Sequence, residues 1–142
     1  MDMITSFDTD DILFNILANS DELKAAIGGG IYNETQRPDN SEEEDITINT
    51  IMVTRNFTPQ SGTSNVNIYV PDLKLKIKGQ EQRKVNRERL REITNLVISI
   101  LEKANPSGLA FWIANETMIK EPKIYQHYVN LRIDWNIQLI NN

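Results

Sequence analysis

The chain has 142 residues and no cysteine, and its 20 Asp and Glu against 15 Lys and Arg give a net charge of −5. This length predicts one domain over 1–142, and the lack of cysteine excludes disulfides, thiol catalysis and thiolate metal sites. An acidic chain is not typical of general nucleic-acid binders, which carry a basic surface. The N-terminal stretch MDMITSFDTDDILF has neither a basic signal-peptide start nor a long apolar run. We therefore expect a soluble protein with no membrane partner and no sequence-specific nucleic-acid binding.

The first predicted element is an amphipathic helix from Asp8 to Ile27, capped by Asp8 or Thr9, with a kink or restart at Ser20. Three glycines, 28–30, follow it and precede a predicted strand from Ile31 to Arg37. A phosphate-binding glycine loop follows a strand and opens a helix, which is the reverse order. The glycines are instead predicted to form a left-handed helix cap and a turn.

An acidic run follows between Pro38 and Asp45. Its composition predicts an exposed, flexible loop. The spacing of its carboxylates does not match a calcium loop, which needs glycine at the sharp turn. The acidic residues of this loop are Asp39, Glu42, Glu43, Glu44 and Asp45.

Two strands are predicted next. Ile46 to Arg55 changes its apolar phase near Asn49 or Thr50, which indicates a bulge. A turn from Pro59 to Ser64 leads into Val66 to Val70, where apolar residues recur with a period of two. Pro71 lacks a ladder donor, so this strand is expected to end there or to lie at an edge.

A cationic ribbon continues the alternation from Leu73 to Gly79 and predicts an arm projecting over 72–82. Eight of the fifteen Lys and Arg lie between Lys74 and Arg91. The strongest helix signal runs from Gln82 to Lys103. Basic residues crowd its N-terminal half, where they oppose the helix dipole, and this placement suggests a contact surface. A breaker at 105–108 ends the helix.

The C-terminal third predicts two more strands. Leu109 to Asn115 is apolar on both faces, as in a central strand. A turn near Glu121 and Pro122 precedes Tyr128 to Ile140, where apolar and polar residues alternate without error. The order α-β-β-β-α-β-β predicts an α+β fold, with an antiparallel or mixed sheet of about four to five strands and two helices on one face.

No catalytic, metal or cofactor site emerges from the residues. His127 is the one histidine, and its place beside two tyrosines at a strand start favours a packed or capping role over that of a catalytic base. Because activity depends on sites rather than folds, we expect a protein that is not an enzyme and binds no cofactor.

Several short motifs, in their order along the chain, resemble the small tail terminator, or tail completion, proteins of long-tailed bacteriophages and prophages. These motifs are Gly28-Gly29-Gly30-Ile31-Tyr32 after the first helix, Arg37-Pro38, Val66 to Asp72 before the long helix, and Trp112, Pro122 and His127 to Leu131. The resemblance covers nearly the whole chain by element order.

This resemblance implies a non-enzymatic structural protein of the virion tail, assembled in the host cytoplasm. Such proteins form a homo-oligomeric ring, typically a hexamer, that caps the tail tube, ends tail growth and provides the head-docking surface. Members exist as monomers before assembly. The implied partners are the tail tube protein and a head-completion or connector protein.

The same resemblance implies the interface residues. The contact with a neighbouring subunit or the tube would use Leu73, Lys74, Leu75, Lys76, Ile77, Lys78, Arg83, Arg87 and Arg91. The acidic loop would form the complementary face of a head-to-tail ring. The residues also allow an alternative, a small cytosolic module that binds a peptide or small ligand. An exposed apolar patch would favour assembly, and a deep pocket with converging polar groups would favour this alternative.

Overall fold

The computed structural model describes residues 3–56, 58–104, 109–121 and 123–138. Its helices are α1 (Ser6–Ala18), α2 (Asp21–Ala26) and α3 (Arg87–Lys103), with a short 3-10 helix at Glu34–Gln36. Its strands are β1 (Ile31–Asn33), β2 (Ile46–Val53), β3 (Gln60–Pro71), β4 (Leu73–Ile77), β5 (Gln80–Lys84), β6 (Leu109–Glu121) and β7 (Gln126–Ile137). The predicted breaker at 105–108, Pro122 and the end of the last predicted strand, 139–140, lie outside the described residues.

Five strands form one mixed sheet in the order β1-β2-β3-β7-β6, while β4 and β5 form a separate two-stranded sheet. β1 runs parallel to β2, and the other neighbours in the large sheet are antiparallel. The predicted α+β class with a mixed sheet is therefore confirmed.

The core lies between one sheet face and the three helices. Leu13 and Leu17 of α1, and Ile93 and Val97 of α3, are buried with at most 1% of their surface exposed. The predicted alternation along β7 is confirmed, because its apolar side chains from Val129 to Ile137 are all buried against this face. The opposite sheet face carries none of the three α-helices of the described chain and is called the open face below. The segment that follows the 3-10 helix packs on part of it, where Arg37 lies over the Tyr69 ring.

The first predicted helix begins earlier than predicted and divides where predicted. It begins at Ser6, where the Thr5 backbone N–H donates to Asp8 Oδ2 at 2.7 Å, so the cap is Thr5 and not Asp8 or Thr9. The predicted restart at Ser20 is confirmed, since its hydroxyl accepts a hydrogen bond from the Leu23 N–H at 3.2 Å and caps α2.

The β2–β3 hairpin is longer than predicted. Residues Gln60 to Ser64, predicted as part of a turn, are strand residues because they pair with β2 or β7, and the connection shortens to 54–59. The predicted bulge in β2 is present, as the register shifts between Thr50 and Met52.

Two further predictions are wrong. Gln82 to Lys84 do not begin the long helix but belong to β5, and α3 begins after Asn86, whose side chain accepts a hydrogen bond from the Arg89 N–H at 3.2 Å. β6 is an edge strand rather than a central one. It looks apolar on both faces because Phe111 and Ile113 pack towards the core while Trp112, half exposed, lies on the open face.

Candidate interaction surfaces

The β4–β5 hairpin coincides with the predicted arm over 72–82. Its two turn residues, Lys78 and Gly79, both have positive φ values, 52° and 78°, as a tight two-residue hairpin turn requires. A side chain built at Gly79 would meet no atom within 4 Å, so the tip lies in open space. Leu73, Leu75 and the neighbouring lysines Lys74 and Lys76 are all exposed. Both faces of this ribbon therefore face solvent.

The hairpin is anchored at its root by polar contacts. Asp72, between β3 and β4, donates its backbone N–H to the Tyr125 carbonyl at 2.8 Å. Its buried carboxylate lies 2.6 Å from Nδ1 of His127. The Arg83 guanidinium lies 4.7 Å from the centre of the Tyr125 ring. His127 is thus a packed histidine. The sequence did not indicate that Asp72 would be its partner, because an acid that follows a proline is common in turns.

The acidic loop is not a uniform exposed face. Asp45 is 1% exposed, and its carboxylate accepts hydrogen bonds from Arg37 Nε at 3.0 Å, Ser41 Oγ at 2.6 Å and the Gly30 N–H at 2.9 Å. Arg37 also lies 3.8 Å from the centre of the Tyr69 ring. The prediction that Asp45 lies on the complementary face is therefore wrong, because a buried carboxylate is stable only when such donors surround it.

Glu44 is likewise engaged within the chain. Its two oxygens accept hydrogen bonds from Arg89 at 2.6 and 2.8 Å, and Arg89 also donates to the Ala26 carbonyl and to Glu92. This hydrogen bonding with Arg89, aided by the Gly28 N–H, holds the pKa of Glu44 below its ordinary value, while partial burial opposes the shift. The same pair raises the pKa of Arg89. The Glu44–Arg89 pair joins the loop to α2 and α3.

The three glycines accommodate this loop. The predicted left-handed cap is wrong, since α2 ends at Ile27 in an extended conformation and the positive-φ residues of the described chain lie elsewhere. A Cβ at Gly29 would lie 2.1 Å from Asp45 Oδ1 and 2.5 Å from the Glu44 carbonyl oxygen. Glycine is needed here because the loop backbone passes too close for any side chain.

The exposed charges form two groups at the same end of the sheet. The acidic group consists of Asp39, Glu42 and Glu43. The basic group consists of the hairpin lysines, Arg83 on β5, and Arg87 and Arg91 on α3. The loop and the hairpin root lie together, because the Gln126 amide donates to the Ser41 carbonyl at 2.6 Å while Gln126 pairs with Pro71. The structure separates Arg83 from Arg87 and Arg91, which the sequence placed on one helix.

A cleft of about 360 Å³ runs between α3 and the C-terminal half of β6. Leu90, Met118 and Val129 line it, and Arg87 and Arg91 stand on its rim. Thr94 also lines it and is only 4% exposed, with a hydroxyl that has no hydrogen-bond partner in the described chain. Sequence reasoning missed this cleft because its walls come from elements far apart in the chain.

The open face of the sheet is mostly polar. The Asn130 side-chain amide donates to Asn65 Oδ1 at 3.0 Å and to Asn67 Oδ1 at 2.8 Å, which ties β7 to β3. Tyr69 and Tyr128 stack with ring centres 4.8 Å apart. Exposed apolar side chains lie around this polar centre, namely Met52, Trp112 and Ile119. Together with Leu73 and Leu75, they give the molecule exposed apolar surface at several strand ends.

The described residues contain no group of three or more His, Cys, Asp or Glu placed to hold a metal ion. Within the same ranges, no helix combines the length and apolar character needed to cross a bilayer. The clefts found among them have volumes of about 250 to 390 Å³ and are open to solvent.

The sequence matches no protein-family model and no curated protein. Its fold, however, is similar to that of a chain in a solved structure described as "Virion of native gene transfer agent (GTA) particle". The TM-score is 0.57 at 9% sequence identity, and the match covers 89% of this chain and 92% of the other. At this identity the likeness establishes a shared fold along nearly the whole of both chains.

Proposed function

We propose that this protein is a structural component of a phage-like particle, and more specifically a tail terminator that caps the tail tube as a closed ring and provides the head-docking surface. The observation that carries the proposal is the structural match to a chain from a virion, which covers 89% of this chain. It agrees with the short motifs that resemble tail terminators. The partners in this proposal are the tail tube protein and a head-completion or connector protein.

The distribution of charge supports assembly with further copies or partners. Residues 1–45 contain 12 Asp and Glu against two Lys and Arg, and residues 73–91 contain eight Lys and Arg against two Glu. Asp45, Glu44 and Arg89 are engaged within the chain, and the other charges keep the same opposite signs. Surfaces of opposite sign on one chain steer copies into a head-to-tail contact. Such a contact gives a ring when its rotation closes and a fibre when it does not.

The hairpin is the proposed arm of the assembly. Its exposed leucines and lysines lie on a ribbon that pairs with no other strand of the described chain. Exposed apolar side chains next to charged ones are typical of surfaces that bind other proteins. The open clefts, by contrast, lack the enclosure typical of small-ligand sites. These features favour assembly over the alternative of a ligand-binding module.

Mixing the purified protein with its cognate tail tube protein tests the proposal. We expect tubes of uniform length with a ring at one end by electron microscopy. The matched control is a variant with three hairpin lysines changed to Glu, which should leave tube growth uncapped while retaining the fold. Tube lengths that are the same with and without the wild-type protein would refute the terminator function.

A further inference from the structure

The large sheet has two very different edges. β1 has three residues and passes directly into the 3-10 helix, so it offers little edge to another strand. β6 has 13 residues, and no described strand pairs with its outer side. An edge strand of this length presents a row of unpaired backbone N–H and C=O groups, which is a template for pairing with another chain.

Both faces of this edge carry exposed apolar side chains. On the helix side, Met118 is 44% exposed and lies in the cleft beside Leu90 and Val129. On the open face, Ile119 is 37% exposed and Trp112 is 50% exposed. A strand added to β6 would cover apolar side chains on both sides of this edge. An edge that remains in water gives no reason for apolar side chains on both of its sides.

We propose that strand β4 of a second copy adds to the outer edge of β6, in the manner of strand augmentation. Leu73, Leu75 and Ile77 would face the cleft under α3, and Lys74 and Lys76 would face the open side. Within the described chain, β4 pairs only with β5, so its other edge is free. The hairpin does not pair with β6 of its own chain in the described residues, so in this proposal another copy donates the strand.

Charge fixes which side of β4 faces the cleft. The cleft lining carries two arginines, Arg87 and Arg91, against one carboxylate, Glu116. Its net positive charge disfavours the lysines, so the apolar side chains take the inner side. The docked copy also brings its own acidic loop, which lies beside its hairpin root. The exposed carboxylates of that loop, Asp39, Glu42 and Glu43, are opposite in charge to the two arginines. This complementarity identifies the occupant as a second copy rather than an unrelated basic peptide.

The contact joins two different surfaces and is therefore heterologous, as a ring requires. The inference rests on the proposed function only for the claim that copies assemble. It adds that β4 of one copy pairs with β6 of the next, with the apolar side of β4 towards the cleft.

Disulfide mapping tests the pairing, since the native chain has no cysteine. Single-cysteine variants are mixed in pairs at high concentration and oxidised. The two same-side pairs are Leu75→Cys with Met118→Cys and Lys76→Cys with Ile119→Cys. The two crossed pairs, Leu75→Cys with Ile119→Cys and Lys76→Cys with Met118→Cys, are the controls. Moving the hairpin cysteine by two residues keeps it on the same side of β4 and tests other registers. The cysteine at 75 moves to 73 or 77, and the cysteine at 76 moves to 74.

We expect disulfide-linked heterodimers at least about fivefold more abundant in the same-side pairs, because side chains on opposite faces of a sheet cannot meet. Equal yields in same-side and crossed pairs, or no heterodimer in any register, would overturn the proposal. Tube capping without same-side disulfides would support the terminator function and refute the strand pairing. Same-side disulfides without tube capping would support the strand pairing and refute the terminator function.

Discussion

The substitution Asp45→Asn tests whether the end of the acidic loop is a structural element or an interaction surface. Asn keeps the size of the side chain and can still accept from the Gly30 N–H, but its NH₂ group would face the Arg37 donor. Removing one partner of a buried ion pair costs about 3 to 5 kcal/mol. Arg37 keeps hydrogen bonds to Gln126 and Ser41, so we expect the lower end, about 3 kcal/mol.

In a domain of this size, 1 kcal/mol corresponds to about 3 °C in Tm, so Asp45→Asn should lower the Tm by about 9 °C. Thermal unfolding followed by circular dichroism at pH 7 measures the shift. The matched control is Asp39→Asn, six residues earlier in the same loop and exposed, which should change the Tm by less than about 2 °C. Equal shifts in the two variants would refute the assignment of Asp45 to the buried network.

Three further changes follow from the same structure. Glu44→Gln should lower the Tm by about 3 to 6 °C at pH 7. The pKa of Glu44 is lower in the folded state than in the unfolded state, so the stabilisation from its ionised carboxylate is present above pH 4.5 and is lost as the pH falls through the folded-state pKa. A Tm difference between wild type and Glu44→Gln that does not shrink in acid would contradict this. Gly29→Ala should destabilise by about 2 kcal/mol or more by overpacking, whereas Gly28→Ala, with its nearest contact at 3.7 Å, should be nearly neutral in urea unfolding. Replacing the hairpin lysines by Glu should move the Tm by less than about 2 °C, and a large loss would mean that the ribbon belongs to the folded core; the residues changed are Lys74, Lys76 and Lys78.

Local periodicity in the sequence was sufficient wherever burial itself is periodic. The alternation along β7 records which side of the strand faces the core, and this prediction is confirmed. The long predicted helix is present from Arg87 to Lys103, and its buried residues recur at helical spacing. The same holds for the alternation from Val66 to Val70, which lies at the centre of the sheet. The α+β class follows from the order of these elements.

Local periodicity did not indicate which strands are neighbours in the sheet. The N-terminal part of β6 is apolar on both faces, which is compatible with a central strand and equally with an edge strand that has one exposed face. Gln80 to Lys84 has no alternation of its own and becomes a strand only because the turn at Lys78 and Gly79 folds it onto β4.

The sequence by itself determined that this chain would be an α+β domain with a cationic ribbon and an acidic loop, because composition and period are local properties. Tertiary structure alone decided which charges remain available for a partner. Glu44 meets Arg89 across 45 residues of chain, and Asp45 is buried against Arg37. Equivalent carboxylates in one run have the same local pattern, and only the folded chain brings a donor to some of them and leaves the others in solvent.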